Sequence, residues 1–302
     1  MPDSNSPKVS IIMPTYNLAG YILETIESVC NQDYKNWELI IVDDGSDDNT
    51  QEIVEGLNDP RIQFVNAGRI GIGGIIKNIG LQKATGDFFA FIDADDVWAT
   101  TKLEKQLNAL QKFPEAGFCL TGGYNFTLLN VPVEYFYKQR EGFKTGNVFL
   151  DYFKSELPVF TQALLLRKEC LTGTGPFKVE KRFSDLDFML TLAYRYDAVI
   201  LYEPLFYRRL HNNNYSNISW EESYREGIEM IHSCKQRKMI EPAIANGNLF
   251  NVYINFGEDC LRYKNSKKAI GCFFKAWKNK PISIVPLKKM GKAILSNLKN
   301  KY

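Results

Sequence analysis

The sequence contains no run of about 18 or more apolar residues, the length that a membrane-spanning helix requires, so no spanning helix is expected. Its six cysteines, Cys30, Cys119, Cys170, Cys234, Cys260 and Cys272, are far apart and include no CxxC pair. That spacing disfavours a zinc site or a disulfide framework and makes a reducing, cytoplasmic compartment the default. The first residues, Met1 to Lys8, lack the apolar core of a secretory signal. One further absence is local. From Leu261 to Tyr302 there are 12 Lys and Arg but no Asp or Glu. The rest of the chain then carries 25 basic and 35 acidic side chains, although the net charge of the whole is only +2. An acidic body is repelled by nucleic-acid phosphate, so nucleic acid is not an expected partner. A basic tail suits an anionic surface.

What is present centres on Phe88-Phe89-Ala90-Phe91-Ile92-Asp93-Ala94-Asp95-Asp96. The apolar run suits a strand buried on both faces of a parallel sheet. Carboxylates are costly to bury unpaired, so the three that follow belong at the strand's open end. In open α/β sheets ligands bind at that carboxyl end. An Asp-x-Asp there can hold a hard divalent metal against substrate phosphates. The plainer reading is an acidic loop that caps the next helix.

The preceding segments favour the first reading. Val9–Pro14 and Trp37–Val42 read as strands, Arg61–Val65 as a shorter one. Ala19 to Asn31 has apolar residues at helical spacing, a second helix capped by Ser46 or Asp47 reaches about Leu57, and a third covers about Ile75 to Lys83. This β-α-β-α-β-α-β order predicts a parallel sheet flanked by helices. Thr15–Asn17, Asp43–Ser46 and Asp93–Asp96 all follow strands and should meet in one crevice. Gly71-Ile72-Gly73-Gly74 is not a dinucleotide fingerprint, because Ile76 stands where the third glycine belongs. A loop bringing backbone toward a phosphate, with Lys77 nearby, fits better.

Downstream, a helix is expected over Thr100–Phe113 and strands over Ala116–Leu129, Val131–Tyr137 and Phe160–Arg167. A short helix falls within Phe143–Lys154, a loop covers Gly173–Phe177, and a helix opens at Phe183-Ser184-Asp185. Two short strands, Ala198–Tyr202 and Leu205–Leu210, lead to His211. From Trp220 the pattern is helical, in about four segments. The predicted organisation is a domain of residues 1–212 and a basic helical extension of 213–302.

VSIIMPTYN (9–17), ELIIVDDGS (38–46), KNIG (77–80) and FIDADDVW (91–98), in this order and spacing, resemble family 2 glycosyltransferases. The resemblance covers about residues 8–211. It implies the GT-A fold: a mostly parallel sheet flanked by helices, here with a C-terminal helical extension. It also implies a nucleotide-sugar donor, usually a UDP-sugar, with Mn²⁺ or Mg²⁺. Pro14, Thr15, Tyr16 and Asn17 match the segment that faces the nucleoside, and Asp44 the carboxylate that accepts from the base. Asp93 matches the residue near the ribose, and Asp95 the metal ligand. Lys77 stands where relatives more often have Arg beside the diphosphate, so a bidentate fork becomes a point charge. His211, beyond Arg208-Arg209, matches a position near the diphosphate. His211 is read with Asp95 as a metal ligand, and Arg209 as a phosphate contact. Where relatives show Glu-Asp this chain has Ser184-Asp185, and the resemblance makes Asp185 the general base.

The implied reaction is an inverting sugar transfer to an acceptor hydroxyl on a saccharide or lipid-linked saccharide, in bacterial cell-surface polysaccharide or glycolipid synthesis. A nucleotidyltransferase is the first rival, disfavoured because Thr15-Tyr16-Asn17-Leu18 is not the Gly-rich basic loop it uses. A non-catalytic nucleotide-sugar binder is the second, supported only by Ser184. Residues 261–302 mix lysines with Phe273, Phe274, Trp277 and aliphatics. That composition suits either a peripheral anionic membrane surface, at the inner face of the cell membrane, or packing on the acidic body or a second subunit.

Overall fold

A computed structural model describes residues 6–127, 131–137, 140–179, 184–211 and 220–299, with side chains of the last helix as far as Leu295. The expected domain boundary after residue 212, the helix opening at Phe183 and the strand end at Leu129 lie outside the described residues. The chain divides into two compact units, Met1–Asn214 and Tyr215–Tyr302.

The first unit begins with β1 (Val9–Thr15), α1 (Ile22–Cys30), β2 (Trp37–Asp43), α2 (Thr50–Glu55), β3 (Ile62–Asn66), α3 (Gly73–Lys83) and β4 (Phe88–Phe91). These strands pair in parallel in the order β3-β2-β1-β4. β1, β2 and β4 are buried almost throughout, as strands covered on both faces must be. α1 packs through Ile22, Ile26 and Val29, one apolar stripe at helical spacing. α2 starts later than expected, at Thr50. Asp48 accepts from the Thr50 N–H at 3.1 Å, while Ser46 and Asp47, the predicted caps, bond Asn17 instead.

The second half contributes β5 (Val97–Trp98), α4 (Lys102–Lys112), β6 (Ala116–Phe126), β7 (Pro132–Tyr135), β8 (Phe143–Gly146) and α5 (Phe149–Phe153), then β9 (Leu164–Arg167), α6 (Lys168–Thr174), α7 (Ser184–Arg195) and β10 (Asp197–Arg209). The sheet continues β4-β9-β6-β10-β5, with β7 beside β6 and β8 beside β10. β9 runs antiparallel to both neighbours, which brings β6 and β10 back to the direction of β1. Six of the eight strands on the main path therefore point the same way, and only β9 and the two-residue β5 oppose them.

Several local expectations differ from the structure. The two short strands expected at 198–210 are one strand, β10, with register shifts around Pro204. Proline lacks the N–H that a ladder needs, so the strand bulges there and continues. Thr161–Ala163 form a 3₁₀ turn ahead of β9, and α6 occupies the start of the expected 173–177 loop.

The second unit contains α8 (Trp220–Gln236), α9 (Pro242–Arg262), α10 (Ser266–Asn279) and α11 (Val285–Lys299). Phe256, Cys260, Ala269, Cys272, Phe273 and Ala293 form its core. Asn265 caps α10, accepting from the Lys268 N–H at 3.1 Å. No described helix is long and apolar enough to cross a membrane.

Candidate active site

At the end of β2, Asp44 is 7% exposed and accepts the backbone N–H groups of Ile70 (2.6 Å) and Gly71 (2.9 Å). The amides of the glycine loop therefore point at a carboxylate of the protein, a use that the sequence reading did not include. Arg69 also donates to Asp44, and its guanidinium lies 3.7 Å over the Tyr16 ring. Gly45 has φ +72°, and a Cβ there would meet the Arg69 backbone nitrogen at 2.6 Å, so glycine is what allows this loop to close on β2. Pro14 and Thr15 end β1 in register with Val42 and Asp43. Thr15 is 4% exposed, and among the described residues its hydroxyl has no hydrogen-bond partner. Asn17, at φ 51°, donates its N–H to Ser46 Oγ at 2.8 Å; its side chain donates to Asp47 Oδ1 and accepts the Asp47 N–H. Asn tolerates this left-handed conformation better than most side chains.

Beyond β4 the three carboxylates sit close together. Asp93, Asp95 and Asp96 offer oxygens that all lie within 4.8 Å of one another. Asp95 Oδ2 lies 2.8 Å from His211 Nε2, and His211 stacks on Tyr21 with ring centroids 4.8 Å apart. Asp96 is buried; it accepts the Arg209 N–H at 3.0 Å and Gln162 Nε2 at 3.0 Å. The same Gln162 amide donates to Asp93. Burial pushes the Asp96 carboxyl well above the usual carboxylate range, and the neighbouring Asp95 and Asp93 charges push it further. Burial raises Asp93 to about 6; Lys77 opposes the rise, and Asp95 and Asp185 add to it. Crowded carboxylates with an imidazole beside them are a hard-donor set that suits Mn²⁺ or Mg²⁺, because a divalent cation removes their mutual repulsion.

Arg209, read from the sequence as a phosphate contact, ends β10 and is held by protein groups. Its side chain, 10% exposed, pairs with Glu24 at 2.5 Å and donates to the Asp95 carbonyl at 2.9 Å. These contacts fasten β10 to α1 and to the acidic turn.

Lys77 and Asp185, assigned separate duties from the sequence, form one ion pair. The Lys77 ammonium lies 2.7 Å from each Asp185 oxygen and 3.3 Å from Thr161 Oγ1. The lysine side chain is 6% exposed and the aspartate 40%. Gly74 makes the meeting possible. A Cβ at that position would overlap the Lys178 carbonyl and reach 3.0 Å from the Ser184 Cβ. With glycine there, α3 abuts the start of α7. Ser184 Oγ, in the place of the family's Glu, is 3.5 Å from Asp185 Oδ1.

Sequence reasoning missed Gln162 and Arg69. Gln162 was placed within an apolar strand, and its one signal was a polar side chain in that run. Arg69 stands beside the glycine loop, but its position over Tyr16 follows from the Asp44 turn.

Residues 10–182 match the sequence profile described as Glycosyl transferase family 2, more than half of the chain. The putative teichuronic acid biosynthesis glycosyltransferase TuaG of Bacillus subtilis is 32% identical over 238 residues, covering 76% of this chain and 91% of that protein. The Escherichia coli UDP-Glc:alpha-D-GlcNAc-diphosphoundecaprenol beta-1,3-glucosyltransferase WfgD is 45% identical over 105 residues, 34% of this chain and 41% of WfgD. Among solved structures, S. aureus TarS 1–349 in complex with UDP-GlcNAc superposes with a TM-score of 0.67 at 19% identity, covering 97% of this chain and 89% of that one. At that identity the last match concerns the fold alone, which is of the GT-A type. By profile and by sequence, this protein belongs to glycosyl transferase family 2.

Proposed function

We propose that this protein transfers a sugar from a UDP-sugar to a hydroxyl of a lipid-linked saccharide, with inversion, in the synthesis of a bacterial surface polysaccharide or glycolipid. The observation that carries the proposal is the meeting of Asp95 with His211 and of Asp185 with Lys77 around the half-buried Asp93, at the strand ends that also present Asp44. Supporting the donor and acceptor classes, WfgD is named for a UDP-Glc donor and a diphosphoundecaprenol-linked acceptor.

Asp44 and Tyr16 are read as the nucleobase contacts, Pro14, Thr15 and Asn17 as the shape around the nucleoside, and Asp93 as the ribose contact. Asp95 and His211 would hold Mn²⁺ or Mg²⁺, which when bound neutralises charge growing on the leaving diphosphate. The acceptor oxygen bonds to the anomeric carbon while the carbon–oxygen bond to the diphosphate breaks, and the diphosphate leaves with that electron pair. Asp185 takes the acceptor proton. Lys77 bonds both Asp185 oxygens and so fixes the carboxylate's orientation. Its charge also acts on Asp93, which supports reading Lys77 as a cation that would act on the leaving diphosphate. One in-line displacement of this kind inverts the anomeric centre, and no covalent nucleophile is required.

The test is calorimetry of UDP with and without Mn²⁺. Mn²⁺ is expected to tighten UDP binding to the wild type, and Asp95→Ala to lose that gain, roughly tenfold or more. UDP binding that is the same with or without Mn²⁺, or a gain that survives in Asp95→Ala, overturns the metal assignment.

A further inference from the structure

The last helix has two apolar faces. At about 100° per residue, Pro286, Met290 and Ala293 fall on one side of α11. Pro286 and Ala293 are buried, and Met290 packs against the core of the C-terminal unit. Ile284, just before the helix, and Leu287, Ile294 and Leu295 within it are exposed; Leu295 faces away from that side, and Leu287 and Ile294 lie on the flank between. Their exposures are 59%, 47%, 47% and 63%. Ile282, in the turn leading to the helix, is 89% exposed. A surface helix normally turns charged and polar residues outward; this one turns out large aliphatics.

The charges carried by α11 itself are of one sign. Lys288 and Lys292 are exposed on its flank, and among the described residues neither takes part in an ion pair. Lys289, nearer the packed side, is paired with Glu258. No acidic residue occurs after residue 260 to neutralise the others. On α10, Phe274 is 44% exposed and stacks with Trp277, and Lys278 lies 4.8 Å from the Phe274 ring. Aliphatics flanked by lysines, with aromatics among the cations, match the chemistry of an anionic bilayer: acyl chains below a layer of phosphate.

We propose that the outer face of α11 is a docking surface for an anionic lipid membrane. A second copy of this chain is a poorer occupant. A symmetric dimer through this face would gather Lys288 and Lys292 of both copies at one seam, with no acidic residue of α11 to pair with them. The bilayer supplies both the apolar medium and the opposite charge. The surface is independent of the nucleotide site, so this inference and the proposed transferase reaction fail separately.

The full chain is floated with vesicles of phosphatidylglycerol mixed with phosphatidylcholine, and with phosphatidylcholine alone. It is expected to float with the anionic vesicles and to be released by raised salt. A variant carrying Ile284→Ser, Leu287→Ser, Ile294→Ser and Leu295→Ser, and a second carrying Lys288→Glu and Lys292→Glu, are each expected to lower vesicle partitioning at least tenfold. These side chains lie outside the buried core, so UDP calorimetry and melting temperature should match wild type and report the fold. Equal flotation on neutral and anionic vesicles, or variants that float as the wild type does, overturns the proposal. So does wild type that stays off vesicles, whether it is monomeric or forms a dimer that the serine variant dissociates.

Discussion

On the β3-β2-β1-β4 side of the sheet, polar groups at the strand ends find partners on adjacent loops. Asp44 bonds Ile70 and Gly71, and Asn17 bonds Ser46 and Asp47, all pairs 26 to 30 residues apart. On the other side, partners reach across. Asp185 bonds Lys77, His211 bonds Asp95 and Arg209 bonds Glu24, over separations of 108, 116 and 185 residues. Gln162 spans 69 and 66 residues to Asp93 and Asp96. The first half can thus shape the proposed nucleoside pocket from consecutive βα units, while the proposed chemistry needs contacts from the second half. Substitutions in the second half should therefore disturb turnover and metal binding more than recognition of the base.

The sharpest break is at Asp185. Asp185→Asn keeps the size of the side chain and an acceptor for Lys77 but removes the proposed base. Turnover is expected to fall roughly 10²-fold or more, with UDP affinity retained. Initial-rate kinetics beside UDP calorimetry distinguish the two effects. A variant that keeps near-normal turnover assigns the proton to another group. One that loses UDP affinity with the rate would show that the two halves are not separable in the way the contacts suggest.

Gln162 tests the seam where no charge is changed. Its amide donates one hydrogen bond to Asp93 and one to Asp96, and the residue is 5% exposed. Gln162→Leu fills nearly the same space and leaves both carboxylates without that donor. Groups behind metal ligands typically contribute 10- to 100-fold in affinity; Gln162 holds the two carboxylates that flank the proposed ligand Asp95, and about tenfold weaker Mn²⁺ binding is expected here. Titration followed by the free-Mn²⁺ paramagnetic signal reads it directly. Unchanged Mn²⁺ affinity would reduce Gln162 to packing.

In the first half, Arg69 offers a smaller effect of opposite sign. Its planar guanidinium lies over Tyr16 and donates to Asp44, the two groups proposed to receive the nucleobase. A base entering there must displace it, which lowers apparent affinity by the fraction of time the place is open. Arg69→Ala is expected to tighten UDP binding by roughly tenfold or less. Weaker binding would mean that Arg69 swings to contact the nucleotide rather than block it.

These contacts also explain how much the sequence disclosed. Parallel strands buried on both faces are written as unbroken apolar runs ending in Asp or Thr, so β1, β2 and β4 and the residues after them were readable one by one. β10 was read as two strands because Glu203-Pro204 interrupts its pattern, although the ladder resumes beyond the bulge. β5 has two residues and no pattern of its own. Lys77 and Asp185 were each found as charged residues near a helix, but their pairing depends on Gly74 admitting the Ser184 segment, a tertiary contact with no local trace. Arg209 shows the reverse: a cation next to a site residue whose contacts are with Glu24 and a carbonyl.

The effect smallest in turnover lies in α4, behind the second half, and is read as stability. Lys102 is fully buried, bonds Gln106 Oε1 at 2.7 Å and lies 4.1 Å from the Trp98 ring. Gln106 in turn donates to the Ala163 carbonyl at 2.9 Å, next to Gln162. Burial pulls the Lys102 amine down to about 7 from its ordinary 10.5, with the Cys119 thiol acting in the opposite direction. Between these two values the unfolded chain holds a proton that the folded chain has released, so stability rises with pH across that window. Below about 7 both states are protonated and the cost of the buried charge is felt in full. Lys102→Met has no such proton. Its melting temperature relative to wild type should therefore be highest near pH 6 and decline steadily as pH rises toward 9, whatever the packing change contributes as a constant offset. A difference that stays flat over that range would mean Lys102 keeps its charge in the folded protein, with Gln106 and the Trp98 face sufficient to hold it.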